Sequence, residues 1–208
     1  STGGIPSNLR TNTEKTGTAG VPALLVDYAF DGGTIGYAPD IDALPGAYAK
    51  FCYGKGFDSG FRTSTNSLKD VQMFGIDVVP YDTDNLHVDL NWNHAKDVFD
   101  NLPDGSDFNA PFGTTGVQNN LGNIDWYGAT LTGKVFDSLN LFISSAISKT
   151  RPNDNRFQNN PYMPGLMYDN EKKGRTGSAY YLGARYDIKS SGTKIGLEYN
   201  HGSKYWIT

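Results

Sequence analysis

The sequence predicts an all-β fold, an antiparallel up-and-down transmembrane β-barrel of about eight strands. Three observations predict it. Long segments alternate strictly between apolar and polar residues. Tight turns alternate with long polar loops. The composition is rich in Gly (25), Tyr (13) and Phe (11), a mix that favours strands and turns over helices.

The strands follow in chain order from period-two matches. In "VPALLVDYAF", Leu24, Val26, Tyr28 and Phe30 oppose Leu25, Asp27 and Ala29. In "GAYAKFCYGKGF", Ala47, Ala49, Phe51 and Tyr53 oppose Tyr48, Lys50, Cys52 and Gly54. "VQMFGIDVV" sets Phe74, Ile76 and Val78 against Met73, Gly75 and Asp77, and "NLHVDLNWN" sets Leu86, Val88, Leu90 and Trp92 against His87, Asp89, Asn91 and Asn93. "DWYGATLTGKV" and "LNLFISSAISK" present Tyr127, Ala129, Leu131 and Val135, then Leu139, Leu141, Ile143 and Ile147, against mainly polar or small neighbours. The last two strands carry Tyr180, Leu182, Ala184, Tyr186 and Ile188, then Ile195, Leu197 and Tyr199. Their other faces hold Tyr181, Arg185 and Asp187, then Lys194, Glu198 and Asn200.

The connections fall into two kinds. "YDTDN" (81–85), "FDS" (136–138) and "KSSG" (189–192) have the residues of short hairpin turns. Segments 94–122 and 150–176 are long, rich in Asn, Asp, Pro and Gly, and lack a helical period. Short turns on one side and long loops on the other are the pattern of an outer-membrane barrel. The strands also approach the roughly 9 to 11 residues needed to cross a bilayer obliquely. Aromatic residues near strand ends, Tyr28, Phe30, Tyr53, Phe57, Trp92, Trp126, Tyr127, Tyr205 and Trp206, suit an interfacial girdle. The linkers "DGGTIGYAPDIDALPG" and "DSGFRTSTNSLK" depart from the short/long rule. Residues 1–20 read as a disordered or extended segment, and 21–208 as the barrel domain.

Composition narrows function. A net charge of −4 without a basic cluster gives no footprint for nucleic acid. One cysteine, Cys52, excludes an intramolecular disulfide framework. No run of about 18 apolar residues supplies a transmembrane helix. The mean hydropathy of −0.48 does not imply a soluble protein, because barrel strands place a polar residue at every second position. The chain opens on a polar stretch without a signal peptide, as a mature form or a fragment does.

Short motifs carry little chemistry. "SGTK" (Ser191 to Lys194) and "KTG" (Lys15 to Gly17) match penicillin-recognising patterns, yet Ser191 sits in a hairpin turn rather than opening a helix. "DGGTIG" (31–36) is read as a turn, since no helix follows to hold a phosphate. His87, Asp89 and Asn91 form a polar row read as lumen lining rather than a metal site. "YDTDN" and "LPDGSD" are read as turns rather than calcium loops. Cys52 has only Lys50 as a sequence-local activator and is read as inert.

"SGTKIGLEYNHGSKYW", "GSAYYLGARYDI" and "WYGATL" resemble a group of uncharacterised porin-like outer-membrane proteins of Gram-negative bacteria. The resemblance is best over 123–208 and weaker over 20–93, and offers no catalytic motif to carry over. It implies that the chain is part of a longer barrel. "KYWIT" then lies inside a ninth strand or extends the eighth.

The expected function is a porin-like channel in the bacterial outer membrane for passive diffusion of small solutes or ions. No enzymatic chemistry, cofactor or metal is expected. The lumen would be lined by Asp27, Lys50, Asp77, His87, Asp89, Lys134, Arg185, Asp187, Lys194 and Glu198. Five acids against four bases predict weak ion selectivity. Asp97, Asp100, Asp104 and Asp107 are candidates for a constriction loop. Expected partners are outer-membrane lipid and the permeant solutes, with a homo-oligomer resting on analogy alone. Two alternatives compete. One is a secreted β-sandwich that binds glycans through exposed Trp92, Trp126 and Trp206. The other is a plugged-barrel surface receptor or adhesin.

Overall fold

A computed structural model describes residues 24, 31–57, 69–99, 119–155, 166 and 173–207. Eight strands form one antiparallel sheet in chain order: β1 (Asp31–Tyr37), β2 (Tyr48–Phe57), β3 (Val71–Asp82), β4 (Leu86–Phe99), β5 (Asn120–Phe136), β6 (Leu139–Pro152), β7 (Thr176–Ile188) and β8 (Thr193–Gly202). The fold is all-β and up-and-down, with no helix among the described residues. Every strand pairs only with its sequence neighbours, so β1 and β8 are free edges among the described residues and the sheet is not closed.

Connections sort by end. Segments 38–47, 83–85, 137–138 and 189–192 join strands at what is here called the turn end, and 58–70, 100–119 and 153–175 at the loop end. Of the two irregular linkers, 58–70 therefore lies with the long loops. The other is partly strand: residues 31–37, expected to be a turn, pair along their whole length with β2 from Asp31↔Lys55 to Tyr37↔Ala49. Three glycines in seven residues erase any alternation there, and the ladder to β2 overrides weak propensity. The remaining 38–47 is tied down by Asp82 N–H donating to the Pro45 carbonyl, 2.9 Å.

Four strands run into the expected loops. β4 continues through His94 to Phe99, past a bulge where Asp97 takes a positive φ of 63°. β5 starts at Asn120, β6 reaches Pro152, and β7 begins at Thr176. The expected first strand, 21–30, lies outside the described residues except Leu24.

The exposed face of the sheet is largely apolar, while the covered face mixes apolar and polar residues. Val71, Met73, Gly75, Asp77 and Val79 of β3 are buried while Ile76 between them is exposed. In β6 the exposed residues include Ile143 and Ile147, and the buried ones Asn140, Phe142, Ser144, Ala146, Ser148 and Thr150. Directly paired residues share a face, so register extends the pattern sideways. One exposed row runs Val88↔Leu131↔Ile143↔Leu182↔Tyr199. The row beside it, Asp89↔Thr130↔Ser144↔Tyr181↔Asn200, is buried from β4 to β7 and exposed at Asn200 on the edge strand.

Apolar packing on the buried face gathers toward the loop end. Val71, Met73, Ala95, Leu121, Ile124, Trp126 and Leu166 form one cluster. Leu24, Phe142, Ala146, Ala179 and Tyr181 form another, and Trp206 packs against both. Three sequence expectations are corrected here. Leu24 lies on the buried face, not with the outward apolar stripe. Trp126 is 2% exposed and Trp206 packs inward, so neither joins an outward girdle with Tyr53, Trp92 and Tyr127. The chain after Gly202 does not continue as strand but folds back across the sheet.

That fold-back has a specific seat. Gly177, Ser148 and Trp126 lie in one register row across β7, β6 and β5. Ser203 N–H donates to the Ser178 carbonyl at 2.8 Å. Trp126 Nε1 donates to the Ile207 carbonyl at 2.7 Å, and Ile207 N–H to Ser148 Oγ at 3.3 Å. A Cβ on Gly177 would sit 2.1 Å from the Tyr205 carbonyl oxygen, so only glycine lets the segment lie flat. Gly177→Val is expected to lift residues 203–207 at a cost of about 1–3 kcal/mol. Tryptic cleavage after the exposed Lys204 should then accelerate roughly tenfold or more, since cleavage tracks the opened population.

Candidate functional site

The buried face holds two ionic groups nearer the turn end. In the first, Lys50 Nζ lies 2.6 Å from Asp77 Oδ2, across the directly paired positions of β2 and β3. Asn91 Nδ2 donates to Asp89 Oδ1 at 2.9 Å. His87 Nδ1 lies 3.2 Å from Asp82 Oδ1, and its Nε2 4.0 Å from Asp89 Oδ2. Asp77, His87 and Asp89 are all buried. Charged side chains so covered require paired partners, because burial without them is costly.

In the second group Arg185, 2% exposed, engages Asp187 with Nε 2.8 Å from Oδ1 and Nη2 3.0 Å from Oδ2. The Nη2 contact is a charge-assisted hydrogen bond, and the Nε contact adds ionic attraction alone. Asn140 Nδ2 adds a bond to Asp187 Oδ2 at 3.3 Å. Lys134 stands in register with Asn140, and Lys194 with Asp187. Glu198 sits apart, accepting from the Tyr181 hydroxyl. Between the groups Thr130 and Ser144 share a 2.8 Å hydroxyl bond.

The sheet thus brings Lys50, Asp77, His87 and Asp89 together on β2–β4, and Lys134, Arg185, Asp187 and Lys194 together on β5–β8. Asp27, Asp100, Asp104 and Asp107 lie outside the described residues. Asp97 is corrected: it belongs to the bulge of β4, where its N–H donates to Asn123 Oδ1 at 3.0 Å and its Oδ1 accepts from Asn120 Nδ2 at 2.7 Å. These bonds hold β4 to β5 and give it no role in a free loop. Ser191 lies in the β7–β8 turn, with its hydroxyl 2.9 Å from Thr193 Oγ1. Cys52 Sγ accepts from Thr34 Oγ1 at 3.3 Å.

A third group was not singled out from sequence. Asp125 lies on the opposite, outward face at the loop end, yet is only 2% exposed. Its Oδ1 accepts from His94 Nδ1 at 2.8 Å and Trp92 Nε1 at 3.1 Å, and its Oδ2 lies 3.0 Å from Arg151 Nη2. Lys149 is its direct partner in β6 and places Nζ 5.5 Å from the Tyr127 ring centre. The signal was the alternation itself: two residues before Tyr127 gives Asp125, and two and four beyond Ile147 give Lys149 and Arg151.

Fold and site together define an eight-stranded up-and-down sheet with an apolar exposed face and a covered face that is apolar toward the loop end and ion-paired toward the turn end. The chain belongs to the family described as protein of unknown function (DUF3373), which it matches over residues 1–208. No curated protein and no solved structure matches it.

Proposed function

We propose that the chain forms part of the wall of a bacterial outer-membrane β-barrel, porin-like and without enzymatic chemistry, and that its covered polar face lines a route for passive diffusion of small solutes or ions. The observation that carries this reading is an apolar face left exposed while ionic side chains are covered behind it. On interior strands Ile143 is 51% exposed and Leu131 42%, while Asp77, Asp89 and Arg185 are covered. Water penalises such a distribution, whereas lipid outside and polar surroundings inside favour it. The dimensions fit as well. From Tyr127 to Val135 the apolar stripe of β5 spans nine residues, roughly 26 Å of strand over the intervening steps of ~3.3 Å. At a tilt of roughly 40° that gives roughly 20 Å of height, near the ~25 Å apolar band of such barrels.

The glycan-binding alternative loses its basis in Trp126, which is buried and donates its N–H internally. The plugged receptor keeps one observation in its favour: Leu24, Trp206 and Ile207 occupy the covered face near the loop end. Expression with a secretion signal, fractionation, and gel migration with and without boiling test the membrane reading. Outer-membrane recovery with heat-modifiable migration is expected, and a soluble, detergent-independent monomer would overturn it. Planar-bilayer conductance then separates an open channel from a plugged one.

A further inference from the structure

We infer that the outward face at the loop end carries a binding site for the phosphorylated headgroup of an outer-leaflet glycolipid, built from His94, Lys96, Lys149 and Arg151 around the buried Asp125. The inference rests on the membrane reading above.

The outward face is graded in one direction. Three successive register rows can be followed toward the loop end. The first is apolar and aromatic: Phe51↔Ile76↔Trp92↔Tyr127↔Ile147. The second is Tyr53↔Phe74↔His94↔Asp125↔Lys149, with Tyr53 and Phe74 rings 5.0 Å apart and Trp92 stacked on His94 at 6.0 Å. The third carries Lys55↔Gln72↔Lys96 on one side of the β4 bulge and Asn123↔Arg151 on the other. Apolar, aromatic and cationic layers in that order match the passage from hydrocarbon to headgroup at a membrane surface.

The cations are confined to this end. Among the described residues, the outward-facing lysines and arginines of the strands are Lys55, Lys96, Lys149 and Arg151, all within the last two rows. Lys50, Lys134, Arg185 and Lys194 lie on the covered face. Acids are present too: Asp70 lies 2.7 Å from Lys55, and Asp31 stands opposite Lys55 in β1. Those two acids gather about Lys55 and Asp125 lies beneath Arg151, leaving Lys96, Lys149 and the exposed side of Arg151 as the cationic centre.

Asp125 makes this more than a surface run of charge. One covered carboxylate fixes His94 and Arg151 at 2.8 and 3.0 Å, while the Arg151 side chain remains 64% exposed. The guanidinium is therefore oriented from beneath and still presents donors outward. A phosphate accepting from Arg151 and Lys149 would meet one guanidinium already oriented, beside a lysine over the Tyr127 ring. Long loops mark the extracellular side of an outer-membrane barrel, so the lipid is that of the outer leaflet.

The test uses the full chain folded in zwitterionic detergent micelles doped with diphosphoryl lipid A, reading tryptophan fluorescence against mole fraction. Each cation near a charged surface contributes about fivefold. The Lys96→Gln/Lys149→Gln variant should therefore need about twenty-five-fold more lipid A for half-saturation, and dephosphorylated lipid A should bind neither protein. Equal saturation of variant and wild type, both heat-modifiable, would overturn the site and leave the membrane reading standing. Complete displacement by inorganic phosphate at matched phosphate concentration would overturn the lipid assignment. A wild-type chain that is not heat-modifiable in the same micelles would remove both readings.

Discussion

Leu182→Arg is expected to prevent assembly of the protein into membranes. Leu182 lies in the central exposed row, directly opposite Ile143 in β6 and Tyr199 in β7's other neighbour β8. It is 37% exposed, so the two solvents predict different results. An arginine facing lipid near the midplane costs about 2–4 kcal/mol. The same arginine on a water-facing sheet would change stability by no more than about 0.5 kcal/mol. Pairing it with Ile143→Arg sets like charges directly opposite and should exceed the sum of the single effects. Ser190→Arg, in the exposed β7–β8 turn, supplies the control and should assemble normally. The readout is the fraction of heat-modifiable protein after refolding into vesicles. If Leu182→Arg refolds as well as Ser190→Arg, the apolar row does not face lipid.

Much of this architecture was legible because a strand's side-chain period is two and fixes both its existence and its faces. The cores of β2 to β8 follow from alternation, and the turns 83–85, 137–138 and 189–192 from their Asp, Asn, Ser and Gly. The failures have separate physical causes. β1 carries Gly32, Gly33 and Gly36, which write no pattern, so its pairing with β2 is invisible in one dimension. The end of β4 was lost because His94, Lys96 and Asp97 are polar on both sides of the bulge, where the period breaks. Trp126 was counted among exposed aromatics although its position between Asp125 and Tyr127 puts it on the covered face; residue type was weighed above phase. The seat of Trp206 and Ile207 depends on a row of three strands distant in sequence, and no local pattern encodes it. For the same reason Lys50, Asp77 and Arg185 could be assigned a face, but Asp187's grip on Arg185, or Asp125's three donors, required the register.

Asp187→Ala is expected to destabilise the folded protein by about 3–5 kcal/mol, the cost of leaving a buried partner charge uncompensated. Arg185 is 2% exposed, and both carboxylate oxygens of Asp187 lie within 3.0 Å of its guanidinium. Asn140 would lose its acceptor at the same time, and Lys194, in register with Asp187, adds positive charge to the same row. The double variant Arg185→Met/Asp187→Leu should recover most of that loss, because removing both charges leaves neither ion without its counterpart. Urea titration of the heat-modifiable band measures both. The size of the single effect also separates the two barrel readings. A wide water-filled channel would hydrate the lone arginine, and Asp187→Ala would then cost under about 1 kcal/mol, as exposed pairs do. A loss of about 3 kcal/mol or more means that this part of the inner face is shielded from bulk water. The second result favours a lumen narrowed beside the turn end of β7.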